Sequence, residues 1–157
     1  MDAVLASLPP AYFVAGQDDA RFVVGPGGAF VLLPTATTPS ELHRAADRLH
    51  ELAMTTRDAL CDHLTWVPFL DALLVITGEV PRSTEVTVAP LDLVRVVLTE
   101  GPTMIQPLTV TAIREAVRTS KLDGWRVGLG TGDARIDLCD PDPAAAAPLA
   151  GRPTASS

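Results

Sequence analysis

Between Asp18 and Leu42 the chain reads DDARFVVGPGGAFVLLPTATTPSEL, and this run leaves it few ways to fold. Two runs rich in Val and Phe, Arg21 to Val24 and Ala29 to Leu33, flank the tetrapeptide GPGG. Glycine supplies the positive φ angles of a tight connection, so the segment is predicted to be a β-hairpin. Both strands are apolar almost throughout rather than alternating, so both faces of the hairpin should be covered. A helix start follows. Thr38 suits the N-cap, Pro39 the first helical position, and Glu41 is placed to complete a capping box. Leu42, Ala45, Ala46, Leu49, Leu52, Ala53 and Leu60 then recur at three- and four-residue spacing. They form one apolar stripe on a helix of about 22 residues, with Glu41, Arg44, Asp47, Arg48 and Glu51 on its wet face.

The flanking segments supply the other elements. Ala3 to Leu8 reads as a short helix stopped by Pro9-Pro10, and Tyr12 to Val14 as a short strand. Ala72 to Thr77 is a strand apolar enough for the middle of a sheet, ended by Gly78. Glu85 to Val88 is a shorter strand, Leu91 to Leu98 and Val110 to Thr119 are helices, and WRVGLGTGDARIDL is a late hairpin. From Pro141 the Pro/Ala-rich PDPAAAAPLAGRPTASS reads as a disordered tail. The fold class expected is α/β (α+β layered). It has a small mixed sheet with a hairpin, one long amphipathic helix and shorter C-terminal helices, in a single domain over 1–140.

Composition narrows the function. Hydrophobic residues are 47% and charged residues 20% of the 157, an ordinary globular balance. A net charge of −7 gives weak support to general nucleic-acid binding, although Arg114, Arg118, Lys121 and Arg126 fall close together. No apolar run approaches the ~18 residues that span a bilayer, so no membrane partner is expected. The start MDAVLASLPPAYF lacks the Lys or Arg of a signal peptide, and Cys61 and Cys139 form no CxxC pair. A cytoplasmic protein with reduced thiols is the expectation.

FVVGPGGAFVL resembles the hairpin of nuclease-related domains, a branch of the PD-(D/E)xK nuclease-like superfamily common in bacteria. The similarity extends in the same order through LASLPPAYFV, the helix, LDALLVITG, and TVAPLDLVRVVLT followed by PLTVTAIREAV, roughly residues 2 to 120. The resemblance implies a carboxylate-held divalent metal that polarises a phosphodiester, with a lysine helping to orient water. Aligned on VGPGG, the first-strand acid falls on Ala20 and the acid-x-lysine element on Leu33-Pro34-Thr35. None of these can ligate a hard metal as a carboxylate does. Asp19 lies one residue off, which along a strand would turn it to the opposite face. The N-terminal helix glutamate has no counterpart but Asp2. The resemblance therefore implies a catalytically inactive relative, without cofactor, whose frame carries over and whose activity does not.

Two functions stay open. One is an inactive nuclease-like domain acting through a protein partner, through self-association, or as an accessory in a DNA-related process. The apolar strands and few charges around the second hairpin would offer it surface. The other is an enzyme. It would be a Mg- or Mn-dependent nuclease with carboxylates displaced to Asp18 and Asp19 by a bulge, or a small-molecule enzyme using His43, Asp47 and His50, which share one side of the long helix. GLGTGDAR is expected to be a turn rather than a phosphate cradle, because a strand follows it. DLCDPD lacks the glycine turn of a calcium loop, and no GxSxG occurs.

Overall fold

A computed structural model describes residues 1–81, 86–119 and 121–128. The chain begins with a short helix α1 (Asp2–Ala6), then three strands, β1 (Phe13–Gln17), β2 (Ala20–Gly25) and β3 (Gly28–Thr35). The long helix α2 (Pro39–Cys61) leads to β4 (Leu70–Ile76) and β5 (Thr87–Pro90). A 3-10 turn (Leu91–Leu93), α3 (Val94–Thr99), α4 (Pro107–Arg118) and β6 (Arg126–Val127) complete the described chain. The strands form one sheet in the order β5-β4-β3-β2-β1-β6. The first three run antiparallel to one another, whereas β3, β4 and β5 run parallel. This is the α/β class expected, a mixed sheet of six strands.

The apolar character of β2 and β3 has its cause in two layers of helix. Every residue of β2 is buried, and so are the first six of β3. On one face Ala20, Phe22 and Val24 join Ala29, Val31 and Leu33 beneath Ala45, Leu49, Ala53 and Leu60 of α2 and Ile113 and Val117 of α4. On the other, Val23, Phe30, Leu32, Leu73 and Val75 pack against Leu5 of α1 and Val94 and Leu98 of α3. The side chains alternate as a strand requires, and each face finds its own cover. Burying each large aliphatic side chain contributes about 1.5–3 kcal/mol, so the α2 stripe alone anchors the first face firmly.

Several boundaries differ from expectation. The short strand near Tyr12 runs on to Gln17, because Asp18-Asp19 is a two-residue turn closing a second hairpin with Gln17 opposite Ala20. Asp18 takes φ 51°, a conformation that Asp tolerates better than most residues. The helix expected from Leu91 is split, its first turn being 3-10, and the last one starts three residues early on Pro107. The strand expected at Glu85 to Val88 is observed at Thr87–Pro90, and Glu85 lies outside the described residues. Thr38 is the N-cap of α2, yet no side-chain bond reaches the backbone there; its hydroxyl donates instead to the Glu41 carboxylate.

The GPGG turn is built around one aromatic ring. Gly25 pairs with Gly28, leaving Pro26 and Gly27 at the tip, and Gly28 alone of the tetrapeptide has a left-handed φ, 146°. The Tyr12 hydroxyl accepts from the Gly27 amide at 3.1 Å and donates to the Leu98 carbonyl at 2.9 Å. It thereby ties the turn to the end of α3. The Pro26 carbonyl accepts from the Met104 and Ile105 amides. The turn is thus enclosed by the protein on several sides.

Of the late hairpin expected at WRVGLGTGDARIDL, the described residues hold β6, which pairs with Ala15 and Gly16 of β1. The remainder of GLGTGDAR, the DLCDPD run, Cys139 and the 141–157 tail lie outside the described residues. Cys61 is an exposed free thiol. Among the described residues no helix is long and apolar enough to cross a membrane.

Candidate functional site

β3 delivers Leu33, Pro34 and Thr35 to the C-terminal ends of the parallel strands, where open α/β sheets form their ligand crevices. A shallow cleft of about 240 Å³ opens there, walled on one side by Leu33 to Ala36 and on the other by Glu41, Arg44 and Arg48 of α2. Ala20 and Leu33, with relative exposures of 0% and 1%, lie in the core beneath α2. Thr35 is half-buried at the cleft wall. The positions singled out by the resemblance therefore share one face of the sheet, and that face holds a methyl, an isobutyl and a hydroxyl.

Asp19 departs from expectation. It is a turn residue rather than a strand residue, so strand alternation does not turn it away. Its carboxylate Oδ1 lies 2.7 Å from Nη2 of Arg48, on the α2 side, and it lines the same cleft as Leu33 and Thr35. No bulge is involved. Both partners are about half exposed, so the pair contributes roughly 0–1 kcal/mol to stability. Asp18 lines a separate cavity of about 480 Å³, together with Glu51, His63, Lys121 and Trp125. Asp2, the remaining acid, lies on the far side of the sheet. It receives Arg21 Nε at 2.9 Å and Nη2 at 3.2 Å, and the buried Arg21 also donates to the carbonyls of Asp18 and Ala20. That network fastens α1 to β2 and leaves no acid from α1 in the cleft.

A divalent metal does not fit these residues. Hard cations take several oxygen ligands, and the cleft supplies two carboxylates, one paired with Arg48 and one bonded to Thr38. An ion on Asp19 would also sit within about 4 Å of the guanidinium. Two unit charges there repel by about 1 kcal/mol in water and about 4 kcal/mol at an effective dielectric of 20, and a dication doubles this. Among the described residues no three His, Cys, Asp or Glu side chains converge to hold a metal.

His43, Asp47 and His50 gather on the rim of a cavity of about 600 Å³ between α2 and the β4–β5 side of the sheet. His43 Nε2 stands 3.6 Å from Asp47 Oδ2, and both side chains are more than 70% exposed. The floor is apolar, formed by Leu42, Ala46, Leu74 and Val86. The groove continues past His50 toward Met54, Phe69 and Asp71. Phe69 is 76% exposed and the nearby Trp66 56%.

Burial raises the Asp71 carboxyl above its ordinary 3.8. The sign follows: its contribution to stability is full below the unfolded pKa and is lost as pH rises through the folded one. Asp71→Asn is therefore expected to raise the melting temperature slightly at pH 7 and to leave it unchanged near pH 3. A melt series across that range, on both proteins, checks it.

Sequence reasoning missed Thr56, Trp125 and Tyr12. Thr56 is buried, donates to the Leu52 carbonyl at 2.6 Å and accepts from Trp125 Nε1 at 2.9 Å. Its place between Ala53 and Leu60 on the apolar stripe was the available signal. Comparisons with family models, with curated proteins and with solved structures return no match.

Proposed function

We propose that this chain is a catalytically inactive protein resembling nuclease-related domains, acting by association with a protein partner or with itself, or as an accessory in a DNA-related process. One observation carries the reading. The three positions where the resemblance would put two acids and an amine are Ala20, Leu33 and Thr35, and they share one face beside the α2 cleft. The order of elements supports it: short helix, strand, hairpin, long helix, then a strand parallel to the hairpin's second. Asp19, the nearest acid, is held by Arg48. The strands of the GPGG hairpin are interior; among the described residues the exposed apolar side chains that offer surface for association are Met54, Trp66, Phe69, Val80, Leu93, Val96, Val97, Met104 and Leu108.

The rim of His43, Asp47 and His50 around the cavity of about 600 Å³ favours a second reading, a small-molecule enzyme. Incubation with single- and double-stranded DNA in Mg²⁺ or Mn²⁺ is expected to yield no cleavage. Light scattering and capture from native cytosol are expected to show a defined oligomer or a stoichiometric partner. Cleavage lost on Asp19→Asn would reject the proposal in favour of a nuclease with a displaced acid. A turnover lost on His43→Ala would favour the second reading.

A further inference from the structure

Missing ligands leave a metal site weak; a resident cation closes it. In the cleft beside Leu33 and Thr35, one carboxylate is bonded to a threonine hydroxyl and the other faces a guanidinium at 2.7 Å. Arg48 projects from a turn of α2 that is fixed in place, since its neighbours Ala45 and Leu49 are buried against the sheet. We propose that Arg48 is a built-in cation that holds Asp19 and keeps divalent metal ions out of this cleft. The inference rests on the non-catalytic reading of the same cleft and adds the means: exclusion by a fixed charge as well as loss of ligands. It also accounts for Asp19 standing where an acid would be useful while one of its carboxylate oxygens is already engaged by a cation.

The test is titration of the full chain with Mn²⁺ alone, following the electron paramagnetic resonance signal of the free ion. The proteins are wild type, Asp19→Asn, Arg48→Lys, Arg48→Gln and the double variant Arg48→Gln/Asp19→Asn. Wild type, Asp19→Asn and Arg48→Lys are expected to bind Mn²⁺ equally weakly, because each lacks a free Asp19 carboxylate. Arg48→Gln is expected to bind about tenfold more tightly, a coupling of about 1.4 kcal/mol, and the double variant to lose that gain. Equal affinity in wild type and Arg48→Gln, or a gain that survives Asp19→Asn, overturns the proposal. So does a wild-type affinity that falls tenfold on Asp19→Asn, an outcome that needs no Arg48 variant to fold. A tight Mn²⁺ site without DNA cleavage would sink this inference alone, whereas cleavage would sink the non-catalytic reading.

Discussion

Gly25→Ala is expected to destabilise the protein by about 2–4 kcal/mol, a severe cost for the addition of one methyl group. A β-carbon on Gly25 would lie 2.1–2.4 Å from ring atoms of Tyr12, closer than any real contact. The ring cannot yield cheaply, because its hydroxyl is fixed between the Gly27 amide and the Leu98 carbonyl. Each of those hydrogen bonds contributes about 0.5–1.5 kcal/mol net. Urea denaturation of wild type and variant measures the loss. A double-mutant cycle identifies its cause: in a Tyr12→Ala background the same change at Gly25 should cost little, since the clash is gone. Full additivity of the two changes would refute the account. At Gly27 the reason is different from the one the sequence suggests. Its φ is not left-handed, but a β-carbon there would meet the Leu98 carbonyl oxygen at 2.6 Å.

Truncating Phe22 should cost more, about 3–5 kcal/mol. Its ring is fully buried at the centre of the α2-side core. It meets Phe13 edge-on with centroids 6.2 Å apart and Trp125 at 5.6 Å. Phe22→Ala would leave a void next to an indole whose N–H is committed to Thr56. The variant's fluorescence should move to longer wavelength as Trp125 gains water, whereas the exposed Trp66 should report no change. A loss below about 1.5 kcal/mol would mean that the neighbours collapse into the space, as relaxed sites do.

The frame was legible for a physical reason. Burial of both faces of β2 and β3 demands the apolar residues on either side of GPGG, and the α2 stripe from Leu42 to Leu60 declares its period over about five turns. These are local patterns that one stretch of chain displays by itself. The Asp18-Asp19 turn was less visible, because one residue of the pair takes a left-handed φ without a glycine to announce it. The cleft was legible only in its losses. Ala20, Leu33 and Thr35 could be named from alignment on VGPGG, but the pairing of Asp19 with Arg48 depends on how α2 lies across the sheet. The sequence places Tyr12 in a strand and Arg21 in the hairpin, while their partners at Leu98 and Asp2 are set by packing rather than by spacing.

The two-residue strand β6 has a consequence for the order in which this molecule is made. Arg126 and Val127 cover the edge of β1, and Trp125 fills the space beside Phe22, yet they are translated after almost everything they touch. While the ribosome still holds that segment, a growing chain with β1 to β4 already assembled presents an unfinished rim and an empty aromatic niche. Completion of the core then waits for the arrival of the indole beside Phe22.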